Sequence, residues 1–189
     1  MMHRARNGHT LRERRVGIGE VAASATPILL RSLLGSCVSV CLHDPVSHMG
    51  GMNHILISSD SEDCRCSSRC GVQAMELLIN EIMKLGCDRR RFIAKAFGGA
   101  NVLAAFKSPT VGELNVEFVR RFLSDERIPL LAERFGGKRA IQVCFNPHSN
   151  RVLVGGIHQT RLPAIVHQED AYYHSGLGSR FQIEEPTIF

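Results

Sequence analysis

No apolar run in this sequence approaches the roughly 18 residues needed to cross a bilayer, which argues against membrane insertion. The first fifteen residues contain no apolar stretch and no small-residue cleavage site, so they do not read as a secretory signal, and the cytoplasm is the expected compartment. Neither a GxGxxG fingerprint nor a P-loop lysine pattern occurs. Gly98-Gly99-Ala100-Asn101, although glycine-rich, therefore reads as close backbone packing rather than a phosphate cradle. No aromatic residues interleave with the N-terminal arginines as a base-stacking platform requires, so no nucleic-acid partner is expected. Arg4, Arg6, Arg12, Arg14 and Arg15 against Glu13 hold most of the formal net charge of +5, which leaves the body close to neutral. The low-hydrophobicity, high-charge signature of disorder is also missing: 44% of residues are hydrophobic and 22% charged. No repeat or linker divides the chain. Its 189 residues fit one α/β or α+β domain over residues 16–158, after a basic tail at 1–15 and before a segment at 159–189 without a clear period.

Seven cysteines are present, an odd number in a chain without an export signal, so thiols are expected rather than a disulfide framework. Cys64, Cys66 and Cys70 offer three ligands in a CxC…C spacing without a fourth nearby. They read as members of a polar loop over 58–71, with no metal and no cofactor expected. Apolar residues at helical spacing predict helices over Gly71–Leu85 and Asn115–Asp125, the second with Asn115 as N-cap. Strands are expected over 16–22, 27–30, 38–43, 49–57, 92–97, 130–135, 139–145 and 151–157. The pair on either side of Gly136-Gly137 reads as strand, turn, strand.

The stretch Leu34-Gly35-Ser36-Cys37-Val38-Ser39-Val40-Cys41-Leu42-His43-Asp44-Pro45 places a cysteine at the start of a strand with one apolar face. A turn at Asp44-Pro45 returns the chain through Gly50-Gly51-Met52-Asn53-His54. If the turn centres on Pro45-Val46, Cys37 falls directly opposite His54, with Cβ atoms about 4.5 to 5.5 Å apart. A bulge at Gly50-Gly51 would shift that register by one. Cys41 shares the face, but its partner in this register is Gly50, which offers no base.

A thiol beside an imidazole can act as a nucleophile, with the histidine moving the proton. Gly35 and Ser36 let the chain turn sharply, so amides around Cys37 could stabilise an oxyanion, with the Asn53 side chain as a second donor. The plain alternative is a small buried cysteine and a packed strand histidine.

Together with Ala96-Phe97-Gly98-Gly99-Ala100-Asn101, Val111-Gly112-Glu113-Leu114-Asn115-Val116, Leu130-Leu131-Ala132-Glu133 and Gly136-Gly137-Lys138-Arg139, the stretch closely resembles the signature of the chemoreceptor glutamine deamidase family, CheD, over about Val16 to Gly155. The resemblance implies an α/β layered sandwich of mixed β-sheet with flanking helices, similar to bacterial deamidase toxins. It also implies hydrolysis of glutamine side chains to glutamate on methyl-accepting chemoreceptors, and binding to a CheC-type phosphatase. Cys37 matches the nucleophile and His54 the general acid/base. The family's third position, a threonine upstream, is occupied by Arg31 with Ser32 next to it: either Ser32 supplies the hydroxyl or the third group is missing. A non-catalytic adaptor for receptor or phosphatase, and a cysteine protease, are the competing functions.

Overall fold

The structure, a computed structural model, describes residues 11–57, 64–101, 109–157 and 167, with side chains from residue 71 onward in the first helix. The expected tails fall largely outside these residues. The described strands are β1 (Glu13–Arg15), β2 (Val21–Ser24), β3 (Leu29–Leu34), β4 (Val38–Asp44), β5 (Met49–Asn53), β6 (Ile93–Gly98), β7 (Leu130–Phe135), β8 (Ile141–Asn146) and β9 (Arg151–Gly156). The helices are α1 (Cys64–Lys84) and α2 (Val111–Asp125).

The strands form a four-stranded sheet, β1-β3-β8-β9, and a five-stranded sheet, β2-β5-β4-β6-β7. Both are mixed, because β1 runs parallel to β3 and β7 parallel to β6 while the other pairs are antiparallel. Helix α1 packs on β2 and β5, and α2 on β4 and β6. The fold is thus the expected α/β sandwich, with the five-stranded sheet as its middle layer.

That position explains why β4 is buried along its whole length. Val38, Val40 and Leu42 enter a core with Met75, Leu78 and Ile79 of α1 and Val119 and Phe122 of α2. Cys37 and Cys41 enter a second core with Leu30, Leu34, Val143 and Phe145, between the sheets. The face that the sequence marks as polar is therefore interior as well, covered by the second sheet. Each fully buried aliphatic side chain here contributes about 1.5–3 kcal/mol, so the thiol, hydroxyl and imidazole groups of that face sit in a layer held shut by apolar burial.

Several boundaries depart from expectation. Helix α1 begins at Cys64, inside the stretch read as a loop, where no proline or glycine interrupts residues 64–70. The side chains of Cys64, Cys66 and Cys70 lie outside the described residues. Helix α2 begins at Val111 because Thr110 caps it: Thr110 Oγ1 accepts from Glu113 N at 3.3 Å, and the Glu113 carboxylate accepts from Thr110 N at 2.7 Å. Residues 13–15, expected within a tail, pair with β3, and Glu13 forms an ion pair with Arg31 at 2.7 Å. Strands β7 and β8 do not form a hairpin; Gly136 and Gly137, both with positive φ, carry the chain from one sheet to the other.

Candidate active site

The hairpin that carries Cys37 and His54 has a longer loop than its turn chemistry suggests. Asp44 pairs with Met49, and His48 adopts a left-handed φ of 55° while its N–H donates to Asp44 O at 3.0 Å. The register is therefore shifted by two residues: Cys41 pairs with Met52, not Gly50, and Val38 with Ile55 through bonds of 2.9 and 2.7 Å. Cys37 is thus not opposite His54 but diagonal to it on the same face. Diagonal neighbours are about 7–8 Å apart at the backbone, within reach of an imidazole.

At Asn53 the ladder is locally rearranged. Val40 N donates to the Asn53 side-chain oxygen at 2.9 Å, while the Asn53 carbonyl accepts from the Ser39 hydroxyl. The Asn53 amide nitrogen donates to Ala74 O and Met75 Sδ of α1, both at 3.3 Å. Asn53 consequently points to the helix side of the sheet, away from Cys37. The expectation that it serves as an oxyanion donor is corrected: adjacent strand residues face opposite ways.

Ser32 projects inward from β3 and meets His54 across the gap between the sheets, with Oγ 2.8 Å from Nδ1. Arg31, the preceding residue in the strand, points the other way toward Glu13. The Ser32 hydroxyl donates to Val16 O at 2.9 Å, so its oxygen receives the Nδ1–H of His54. This assigns the tautomer that leaves the Nε2 lone pair bare. Nε2 is buried without a hydrogen-bond partner among the described residues. Burial lowers the His54 pKa to about 4, opposed by the bond to Val16 O and reinforced by the positive charge of Arg15. The imidazole is neutral at physiological pH.

Cys37 is fully buried and carries no disulfide. Two carbonyls of its loop are fixed by the β6 exit: Gly35 O accepts from Ala100 N at 2.8 Å and Cys37 O from Gly99 N at 2.7 Å. Gly98, at φ 116°, lets β6 approach this closely, since a Cβ there would lie 2.2 Å from Cys37 O. These glycines are packing residues of the loop that carries Cys37. Half-buried Ser36 lies on the same loop. Cys41 is fully exposure-free in the apolar core, and burial pushes its thiol well above the ordinary range, with Lys95 opposing only in part. It is therefore unsuited to act as a nucleophile.

The family described as CheD chemotactic sensory transduction matches residues 57–155. The chain belongs to the CheD family. Among relatives, it is 43% identical over 156 residues to a protein of Burkholderia vietnamiensis named "Probable chemoreceptor glutamine deamidase CheD", covering 80% of this chain and 63% of that one. Its identity to "Probable chemoreceptor glutamine deamidase CheD 1" of Burkholderia thailandensis is 41% over 157 residues, covering 81% and 67%. The chain spans 63% of the length of the first of these CheD relatives.

Sequence reasoning missed two groups that touch these residues. The Val16 carbonyl, which orders the Ser32 hydroxyl, has no side-chain signal. Asn115 did have one: Thr110-x-x-Glu113 is a capping box that starts the helix early and places Asn115 inside it.

Proposed function

We propose that this chain is a cysteine-dependent deamidase that hydrolyses glutamine side chains of methyl-accepting chemoreceptors to glutamate in the cytoplasm. The observation that carries this reading is the polar constellation sealed between two sheets: a thiol, an imidazole diagonal to it with a bare Nε2, and a serine hydroxyl on the other ring nitrogen. His54 Nε2 takes the Cys37 proton as the thiolate attacks the carboxamide carbon. The tetrahedral oxyanion is stabilised by backbone N–H donors of the loop at Ser36 and Cys37. On collapse the C–N bond breaks, His54 returns the proton to nitrogen, and ammonia leaves. Water, deprotonated by the same imidazole, then attacks the thioester; glutamate departs and the thiol is restored. Ser32 touches no reacting atom and acts by fixing the ring.

The adaptor alternative rested on a missing third group, and it loses that motivation because Ser32 Oγ lies 2.8 Å from His54 Nδ1. The family resemblance also supports a CheC-type phosphatase as a second partner. Ammonia release from a receptor cytoplasmic fragment tests the reading: Cys37→Ala should abolish it with the fold retained, and release at the wild-type rate would overturn it.

A further inference from the structure

We infer that Asn115 is a positioning residue for the deamidation proposed above, and the inference rests on that reading. Its amide holds the Ser36–Cys37 peptide so that the Cys37 N–H is presented to the oxyanion.

Asparagine is a poor residue inside a helix, and a buried amide is costly unless its bonds are satisfied. Asn115 is nevertheless fully buried as the fifth residue of α2. Its Nδ2 donates to Val111 O at 2.9 Å within the helix and to Ser36 O at 3.3 Å, and its Oδ1 accepts from Ile57 N at 2.8 Å. Two of its three bonds therefore leave the helix. One reaches the residue before the nucleophile, the other the backbone three residues after His54.

The bond to Ser36 O completes a series. The carbonyls of Gly35, Ser36 and Cys37 accept in turn from Ala100 N, Asn115 Nδ2 and Gly99 N. These donors are neighbours: Gly112 of α2 packs so closely on the β6 exit that a Cβ there would lie 2.5 Å from Gly99 O. In a planar trans peptide the C=O and N–H point in opposite directions, so anchoring these carbonyls toward β6 and α2 turns the following amides the other way. The Cys37 N–H lies on the peptide that Asn115 holds, and it is one of the two loop donors that the proposed mechanism directs at the oxyanion. Two of the three anchors are main chain. Asn115 is the one that a substitution removes.

Asn115→Asp keeps the acceptor for Ile57 N–H and loses the donor to Ser36 O. Asn115→Ser reaches neither and buries no charge, so it decides the matter should the first variant not fold. The expected result for each folded variant is a kcat for ammonia release lower by roughly 10- to 100-fold, with KM changed less than about three-fold, as for a weakened oxyanion donor. Alkylation of Cys37 by iodoacetamide, which needs no oxyanion site, should stay within about three-fold of wild type. Wild-type kcat in Asn115→Asp would overturn the inference, as would a kcat loss matched by an equal loss of alkylation rate. A wild-type protein that alkylates but releases no ammonia from any receptor fragment would sink the deamidase reading itself.

Discussion

Ser32 Oγ and His54 Nδ1 lie 2.8 Å apart, although one belongs to the four-stranded sheet and the other leaves β5 of the five-stranded sheet. The bond spans the interior layer and sets which ring nitrogen keeps its proton. Ser32→Ala leaves Nδ1, among the described residues, the longer 3.3 Å approach to Val16 O. The variant should lose roughly 10- to 100-fold in kcat with little change in KM, part of what a positioned acid/base contributes. Ser32→Thr keeps the hydroxyl and should remain within about five-fold of wild type. Steady-state ammonia kinetics on the two variants check this; equal losses in both would show that the oxygen is not what matters.

The buried imidazole makes stability depend on pH. Folded His54 titrates near 4, against an ordinary value of 6.5, so in this interval the unfolded chain binds the extra proton and stability rises with pH. The contribution is complete above about 6.5 and is lost as pH falls toward 4, on the order of 3 kcal/mol in all. Burial lowers His43 in the same direction. Urea midpoints measured from pH 7.5 to 4.5 should fall for wild type and fall less for His54→Gln. Parallel slopes would contradict the assignment. The same shift predicts no acid limb near pH 6.5 in kcat/KM, because the base is already neutral there.

Cys41 and Cys37 share a face of β4 yet should behave differently. Cys41→Ala opens a small cavity in the apolar layer and should cost about 1 to 2 kcal/mol of stability while kcat stays within two-fold. Denaturant titration and ammonia kinetics on one preparation separate the effects. A Cys41 variant without activity would move the nucleophile.

The hairpin bearing Cys37 and His54 is pinned at its tip. Asp44 is fully buried, and its carboxylate receives Nε and Nη2 of Arg91 at 2.6 to 3.1 Å and Val46 N at 2.9 Å. Burial by itself would raise the Asp44 pKa, but the Arg91 guanidinium and the backbone donors hold it well below the usual carboxylate range. Arg91→Met leaves that charge unpaired and should destabilise by on the order of 3 kcal/mol. Thermal unfolding checks it, and an unchanged midpoint would show the pair contributes nothing.

The sequence carried the alternation of β4, the turn at Asp44-Pro45, the packing role of Gly98-Gly99 and the residue types of the site, because these are local properties. It did not carry the register, since a four-residue loop with His48 in the left-handed region reads like a two-residue turn until its hydrogen bonds are known. The diagonal relation of Cys37 to His54 follows from that difference, whereas a shift of two residues leaves Asn53 on the same face, toward α1, in either register. Nor could it show that the polar face of β4 is covered, because β3, its neighbour in the chain, joins a different sheet by pairing with β8, which is distant in the chain. Ser32 became interpretable against Arg31 only once one pointed into the interior layer and the other outward.

The most direct measurement is mass spectrometry of a chemoreceptor cytoplasmic fragment incubated with wild-type protein and with Cys37→Ala. Wild type should convert particular glutamine-containing peptides with the roughly one-dalton gain of glutamine becoming glutamate, and Cys37→Ala should leave them unchanged. Unmodified peptides after incubation with wild type, or the same gain with the variant, would contradict a thiol-dependent deamidase built on Cys37 and His54.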